Sequence, residues 1–177
     1  MPKRQRFELQ GQPRFITFSC YNRLGLFNNE AIKDAFVEQL RASQERHTFD
    51  LHAWVLMPEH IHLLLTPDSA VNTLSALLHD LKGRTASEVL KRWYELDAPV
   101  LSRVRDKGGK AHFWLPGGGY DRNIYSAAEY EEKLHYIHGN PVKRGLVPMP
   151  EDWKWSSAAA YSARSFEEPV VIKPLST

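Results

Sequence analysis

Cysteine is nearly missing from this 177-residue chain. Cys20 stands alone, so no intrachain disulfide can form, and a structural zinc site, which usually recruits several thiolates, finds no ligand set. Long apolar runs are missing too: none approaches the roughly 18 residues of a membrane span. The opening MPKRQRFELQ is basic but has no apolar signal-peptide core, and a soluble, cytoplasmic protein is expected. Repeats, low-complexity tracts and interdomain linkers are also lacking, which points to one domain over 1–177. The chain is too short for a (β/α)₈ barrel, which needs about 250 residues. Strong charge of one sign is absent: the net charge is +2 and the pI ≈ 8.6, too mild to announce a nucleic-acid binder.

The distribution of charge says more than its sum. Basic residues gather in Lys3-Arg4-Arg6, Lys82-Arg84, Lys91-Arg92, Arg103-Arg105-Lys107-Lys110 and Lys143-Arg144. Solvated faces explain such clusters as well as phosphate contacts do. The expected layout is a basic N-terminal arm at 1–13, a flexible basic loop at 97–111 and a C-terminal tail at 158–177.

Hydrophobic periodicity supplies the elements between. Arg14 to Cys20 alternates with β-branched and aromatic residues after Gly11-Gln12-Pro13 and reads as a first strand. Asn28 or Asn29 caps a helix to about Arg46, with Ile32, Ala35, Phe36 and Leu40 on one face. Phe49–Leu56 and His60–Thr66 are two β-like runs around Met57-Pro58-Glu59, hence adjacent antiparallel strands. Leu74 to Trp93 supports one long helix, or two interrupted near Gly83. A last helix starts at Ser126, with Glu129 in the capping-box position, and is expected to stop at Gly139-Asn140-Pro141. The order implies an α+β fold with helices packed on one face of an antiparallel sheet.

Two polar residues interrupt the second of the paired strands. In MPEHIHLLL, His60 and His62 point to one face while Ile61, Leu63 and Leu65 point to the other. Such a pair is half of a metal site, although in an apolar strand it is more often two packed, hydrogen-bonded histidines. The barrel hydrolases that begin their metal sites with H-x-H are excluded by length and by the lack of a later Lys, His, His and Asp series. In the last helix, Tyr130, Leu134 and Ile137 form the buried stripe. Tyr136 lies off it, and Asn140 lies one turn further on the same flank. Half-buried tyrosine and an ordinary helix end would account for those two residues as well.

Taken together, these motifs resemble the HUH single-tyrosine transposases, and among them the REP-associated branch. The resemblance rests on His60-Ile61-His62 behind Val55-Leu56-Met57-Pro58-Glu59, on Phe15-Ile16-Thr17-Phe18 through Arg23, on Tyr136-Ile137-His138-Gly139-Asn140-Pro141-Val142-Lys143-Arg144-Gly145, and on Asp152-Trp153-Lys154-Trp155-Ser156-Ser157. It implies a ferredoxin-like sheet with the histidines on a central strand. It also implies His60, His62 and Asn140 as ligands of a divalent metal, Mg²⁺ or Mn²⁺, and Tyr136 as the nucleophile. The implied activity is single-stranded DNA cleavage and strand transfer beside palindromic hairpins (repetitive extragenic palindromes) through a 5′-phosphotyrosine, by a monomer or, in some relatives, a dimer. Arg4, Arg6, Arg103, Arg105, Lys107, Lys110, Lys143 and Arg144 then become candidates for phosphate contacts. His135 and His138 are candidates to help Tyr136 ionise. One departure is Trp114-Leu115-Pro116 followed by three glycines, where many relatives have Trp-Gln. A water-using metal phosphodiesterase would need the histidines but not Tyr136, and a non-catalytic nucleic-acid-binding module would need neither.

Overall fold

The computed structural model describes residues 11–68, 73–117, 119–162 and 169–175. Strands β1 (Arg14–Ser19), β2 (Phe49–Leu56), β3 (His60–Pro67) and β4 (Tyr120–Asn123) form one sheet in the order β2-β3-β1-β4, every neighbouring pair antiparallel. Helix α1 (Glu30–Arg46) links β1 to β2, α2 (Leu74–Glu95) links β3 to β4, and α3 (Ala127–Lys143) follows β4. The units β1-α1-β2 and β3-α2-β4 are interleaved, each holding a strand of the other between its own two. This is the ferredoxin-like arrangement expected, with β3 inside the sheet.

The helices, expected on one face, occupy both. Helices α1 and α2 cover Ile16, Phe18, Leu51, Trp54, Ile61, Leu63 and Leu65, whereas α3 lies on the opposite face against Phe15, Ala53, Val55 and Leu64. The cause is visible in β2 and β3, where residues of both parities are apolar and buried. One helical layer would leave a second apolar surface in water. A bulge at His52 shifts the register between Leu51 and Ala53, so Phe49 and Leu51 share a face with Trp54 and Leu56 despite the change of parity.

Helix α3 passes through the residues expected to end it. Pro141 sits in its last turn, where its missing N–H costs a single bond to the carbonyl of Ile137. The stop comes at Gly145, whose φ of 67° permits a left-handed cap: its N–H donates to the Val142 carbonyl and that of Leu146 to the Pro141 carbonyl. Asn140 therefore remains helical, one turn from Tyr136.

Two segments are more firmly held than expected. In 97–111, Leu101 and Val104 are buried, and the Asp106 carboxylate accepts from the amides of Gly108 (2.9 Å) and Lys110 (3.0 Å) while pairing with His112 (2.7 Å). What was expected as a flexible loop is thus a turn closed by one aspartate. The chain after α3 runs along the outer edge of β2: Leu56 N–H donates to the Trp155 carbonyl, Ser157 N–H to that of Trp54, and Lys173 N–H to that of Leu51. Lys173, in the expected tail, thus joins Trp155 and Ser157 ahead of it in covering a strand edge that would otherwise be unpaired. No helix among the described residues is long and apolar enough to cross a membrane.

His52 fastens this covering segment through Nδ1 to the Lys173 carbonyl (2.6 Å) and Nε2 to Thr66 Oγ1 (2.7 Å), a neutral ring donating once and accepting once. Burial pushes its pKa below the ordinary 6.5. The unfolded chain therefore binds the extra proton first, and the contribution of His52 is present above about pH 6.5 and lost as pH falls. The urea midpoint is expected to drop between about pH 7.5 and 5.5, and to drop less in His52→Gln, measured by tryptophan fluorescence.

Candidate active site on β3 and α3

The alternation of β3 sends Ile61, Leu63 and Leu65 into the core beneath α1 and α2, and leaves His60 and His62 on the face of α3. On that face β1 lies alongside in the register Thr17↔His62 and Ser19↔His60. Thr17 Oγ1 is 2.6 Å from His62 Nδ1, and Glu59 Oε1 is 3.1 Å from His60 Nδ1. Each ring is thus held by its δ nitrogen, and the two ε nitrogens meet 3.0 Å apart.

One neutral arrangement satisfies every atom without an ion. The Thr17 hydroxyl donates to His62 Nδ1, His62 Nε2–H donates to His60 Nε2, and His60 Nδ1–H donates to Glu59. The same side chains fit a cation. Two imidazole ligands about 2.1 Å from one ion and cis to each other stand about 3.0 Å apart, the spacing found here. Only the His62 tautomer must change, with Nδ1–H then donating to Thr17, and a hydroxyl can serve either way. Burial, with His60 next to it, pushes the His62 pKa down to about 3. Burial also lowers that of His60, against the opposing pull of Glu59. Both rings are therefore neutral near pH 7, the form that ligates.

Among the described residues no three His, Cys, Asp or Glu side chains converge. Helix α3 brings a tyrosine ring to the pair. The Tyr136 ring lies 5.2 Å from that of His62 and 5.9 Å from that of Phe15, yet is 44% exposed and accessible to a substrate. Two turns further, Arg144 Nη1 donates to Glu59 Oε1 (2.7 Å), the carboxylate that holds His60. Asn140 lies between these contacts on the same flank and is buried. Its amide NH₂ donates to the Tyr136 carbonyl (2.9 Å), leaving its oxygen for a cation.

This geometry can be set against known proteins. The family model described as "Transposase IS200 like" matches residues 14–140, from the first residue of β1 to Asn140. The chain belongs to this family. IS200-like transposases nick and rejoin DNA, which fits a site with an accessible tyrosine beside two histidines. Among curated relatives, the chain is 24% identical over 157 residues to the REP-associated tyrosine transposase of Escherichia coli (strain K12), covering 89% of this chain and 82% of that one. It is also 24% identical over 144 residues to a putative REP-associated tyrosine transposase of Haemophilus influenzae (strain ATCC 51907 / DSM 11121 / KW20 / Rd), with 81% and 77% covered. A solved REP-associated tyrosine transposase bound to a REP hairpin shares the fold, at a TM-score of 0.68 and 20% identity, over 100% of this chain and 94% of that one.

In this IS200-like transposase the basic candidates separate. Lys143 is exposed on the Tyr136 flank of α3, and Arg144 is exposed there too but engaged with Glu59. Arg103, Arg105, Lys107 and Lys110 are exposed on the hairpin whose buried Leu101 and Val104 belong to the core on the other face of the sheet. Arg4 and Arg6 lie outside the described residues. His138 is turned away from Tyr136: its Nε2 is 2.9 Å from Ser157 Oγ, its ring lies against Tyr161, and burial lowers its pKa to about 4. His135 is exposed.

Sequence reasoning gave no site role to Thr17, Phe15 or Lys133. Phe15 touches the rings of His62, Tyr136 and Tyr120, and the Lys133 Nζ stands 5.6 Å and 5.9 Å from the ring centroids of Phe15 and Tyr136. The signal for Lys133 was its position one turn before Tyr136. For Thr17 it was a hydroxyl set between the apolar Ile16 and Phe18. Thr17→Val should weaken Mn²⁺ binding about 10- to 100-fold in titration calorimetry while Thr17→Ser stays near wild type, because only the valine removes the hydroxyl that orients His62.

Proposed function

We propose that this transposase is a metal-dependent endonuclease and strand transferase acting on single-stranded DNA beside palindromic hairpins. The observation that carries the reading is the meeting of three side chains from two distant parts of the chain: His60 and His62 with their ε nitrogens converging, and Tyr136 packed on His62. In this reading His60, His62 and the Asn140 oxygen hold Mg²⁺ or Mn²⁺. The bound ion supplies charge withdrawal from the non-bridging oxygens of the scissile phosphate.

The chain's own residues do the rest. Tyr136, fixed at its ring by Phe15 and His62, places its phenolic oxygen in line with phosphorus. The new bond joins that oxygen to phosphorus, the bond from phosphorus to the 3′ oxygen breaks, and the departing 3′ oxygen gains the proton that the phenol gives up. The 5′-phosphotyrosine keeps the ester linkage, so a second 3′-hydroxyl can reverse the step and join a new strand. Lys133 and Lys143 flank Tyr136 on α3 and are suited to the phosphates on either side. The basic hairpin at 103–110, and Arg4 and Arg6, are proposed for more distant phosphates. The pairing of Tyr136 with a histidine of its own chain supports a monomer as the active unit.

The hairpin partner is carried over from the solved relative. Incubation with labelled hairpin DNA bearing single-stranded flanks, with Mn²⁺, should give a covalent adduct on a denaturing gel. Tyr136→Phe is expected to abolish the adduct and cleavage together. Cleavage that survives Tyr136→Phe would transfer the reading to a water-using phosphodiesterase, and binding without cleavage by wild type would leave a binding module.

A further inference from the structure

Beside the histidine pair, on the β4 side of β1, the surface opens into a cavity of about 290 Å³. Its walls include Thr17 and Ser19 of β1, Arg23, Leu115, Gly119 and Tyr120. Thr17 is the residue that holds His62, and Ser19 lies opposite His60 in the register, so the cavity and the site share a wall.

Three features of the cavity go beyond what packing requires. First, Arg23 lines the cavity, is exposed and has no carboxylate partner among the described residues. Second, it is held there at some conformational expense. Asn22 and Arg23 are consecutive left-handed residues, at φ 50° and 53°, a conformation that arginine seldom adopts. The turn is braced by Tyr21, whose N–H donates to the Phe113 carbonyl and whose ring stacks on His112. Third, the opposite wall presents apolar and aromatic surface to solvent: Leu115 is 39% and Tyr120 45% exposed, with Tyr120 set edge-on to Phe15. Gly119 makes the wall possible, since at φ 70° a Cβ there would collide with the Thr17 carbonyl oxygen. The backbone at 119 can lie this close to β1 only with glycine there.

A cation on one side, an exposed phenol ring and an aliphatic side chain on the other, and a volume near the lower end for small-ligand sites suit one nucleotide unit, with a base to stack and a phosphate to pair. We infer that this cavity seats the nucleotide next to the scissile phosphate, with Tyr120 and Leu115 against the base and Arg23 on its phosphate or base edge. The inference rests on the proposed DNA-cleavage reading and deepens it. Strand cleavage at His60 and Tyr136 would then depend on the occupant of the neighbouring cavity, which makes Arg23 and Tyr120 specificity residues rather than general phosphate contacts.

The test uses the full chain and a hairpin oligonucleotide with single-stranded flanks, carrying one abasic site moved through the flanking positions. Affinity is read by fluorescence anisotropy and adduct formation is read separately. In wild type, one abasic position should weaken binding about tenfold more than its neighbours. In Tyr120→Ala and Arg23→Ala that position should become equivalent to the others, with urea midpoints unchanged because both side chains are exposed. A profile in Arg23→Ala and Tyr120→Ala identical to that of wild type, or no sensitive position in wild type, overturns the inference. Adduct formation without a sensitive position sinks the cavity assignment alone. A sensitive position that both variants erase, in a protein that forms no adduct, upholds the cavity and sinks the reaction.

Discussion

Strand β3 is covered on both faces, and the rest of the site follows from that constraint. A central strand alternates strictly, so Ile61, Leu63 and Leu65 in one core commit His60, His62 and Leu64 to the other face. Leu64 is buried beneath α3, while the histidine end of the strand is left beside the more exposed flank of that helix. Burial of Tyr130, Leu134 and Ile137, worth about 1.5–3 kcal/mol for a fully buried large apolar side chain, fixes α3 on the sheet. The same docking carries Tyr136 to His62 without a separate device. A one-residue slip of β3 would turn both imidazoles into the core beneath α1 and α2 and send Ile61, Leu63 and Leu65 to the face of α3, so register and site stand or fall together.

The site's polarity is managed through neighbours on three elements. Thr17 of β1 and Glu59 before β3 hold the δ nitrogens, and Arg144 after α3 steadies Glu59. The contact between Arg144 and Glu59 is an exposed ion pair with a modest energy, but it ties the end of the Tyr136 helix to the start of the histidine strand. Continuation of α3 through Pro141 matters for the same reason. A stop at Gly139 would free Asn140 from the helix and remove the candidate ligand from the flank that Tyr136 and Arg144 define.

Much of this was legible in the residues themselves. The strand alternation of Arg14–Ser19, the Asn29 cap of α1, the paired runs around Met57-Pro58-Glu59 and the Ser126 cap of α3 all depend on local chemistry, and each lies where it was expected. The same was true of the separation of Tyr136 from the buried stripe of Tyr130, Leu134 and Ile137. What escaped was non-local. That α3 takes the second face follows from apolar residues of both parities in β2 and β3, which periodicity along one strand cannot assign to a partner. The order in 97–111 depends on one carboxylate closing a turn, and the pairing of Trp155, Ser157 and Lys173 with β2 joins residues about a hundred positions apart. His138 looked available because it adjoins Tyr136 in sequence, yet on a helix two positions point well apart, and its partner is Ser157.

The central claim is that His60, His62 and Asn140 form one cation site next to Tyr136. Crystals soaked in Mn²⁺ and measured by anomalous diffraction test it most directly. The account predicts a single strong peak bonded to both ε nitrogens and to the Asn140 side-chain oxygen, with the phenol of Tyr136 adjacent. A peak bound elsewhere, or two histidines still hydrogen-bonded to each other with no peak between them and Asn140 at saturating Mn²⁺, would contradict it.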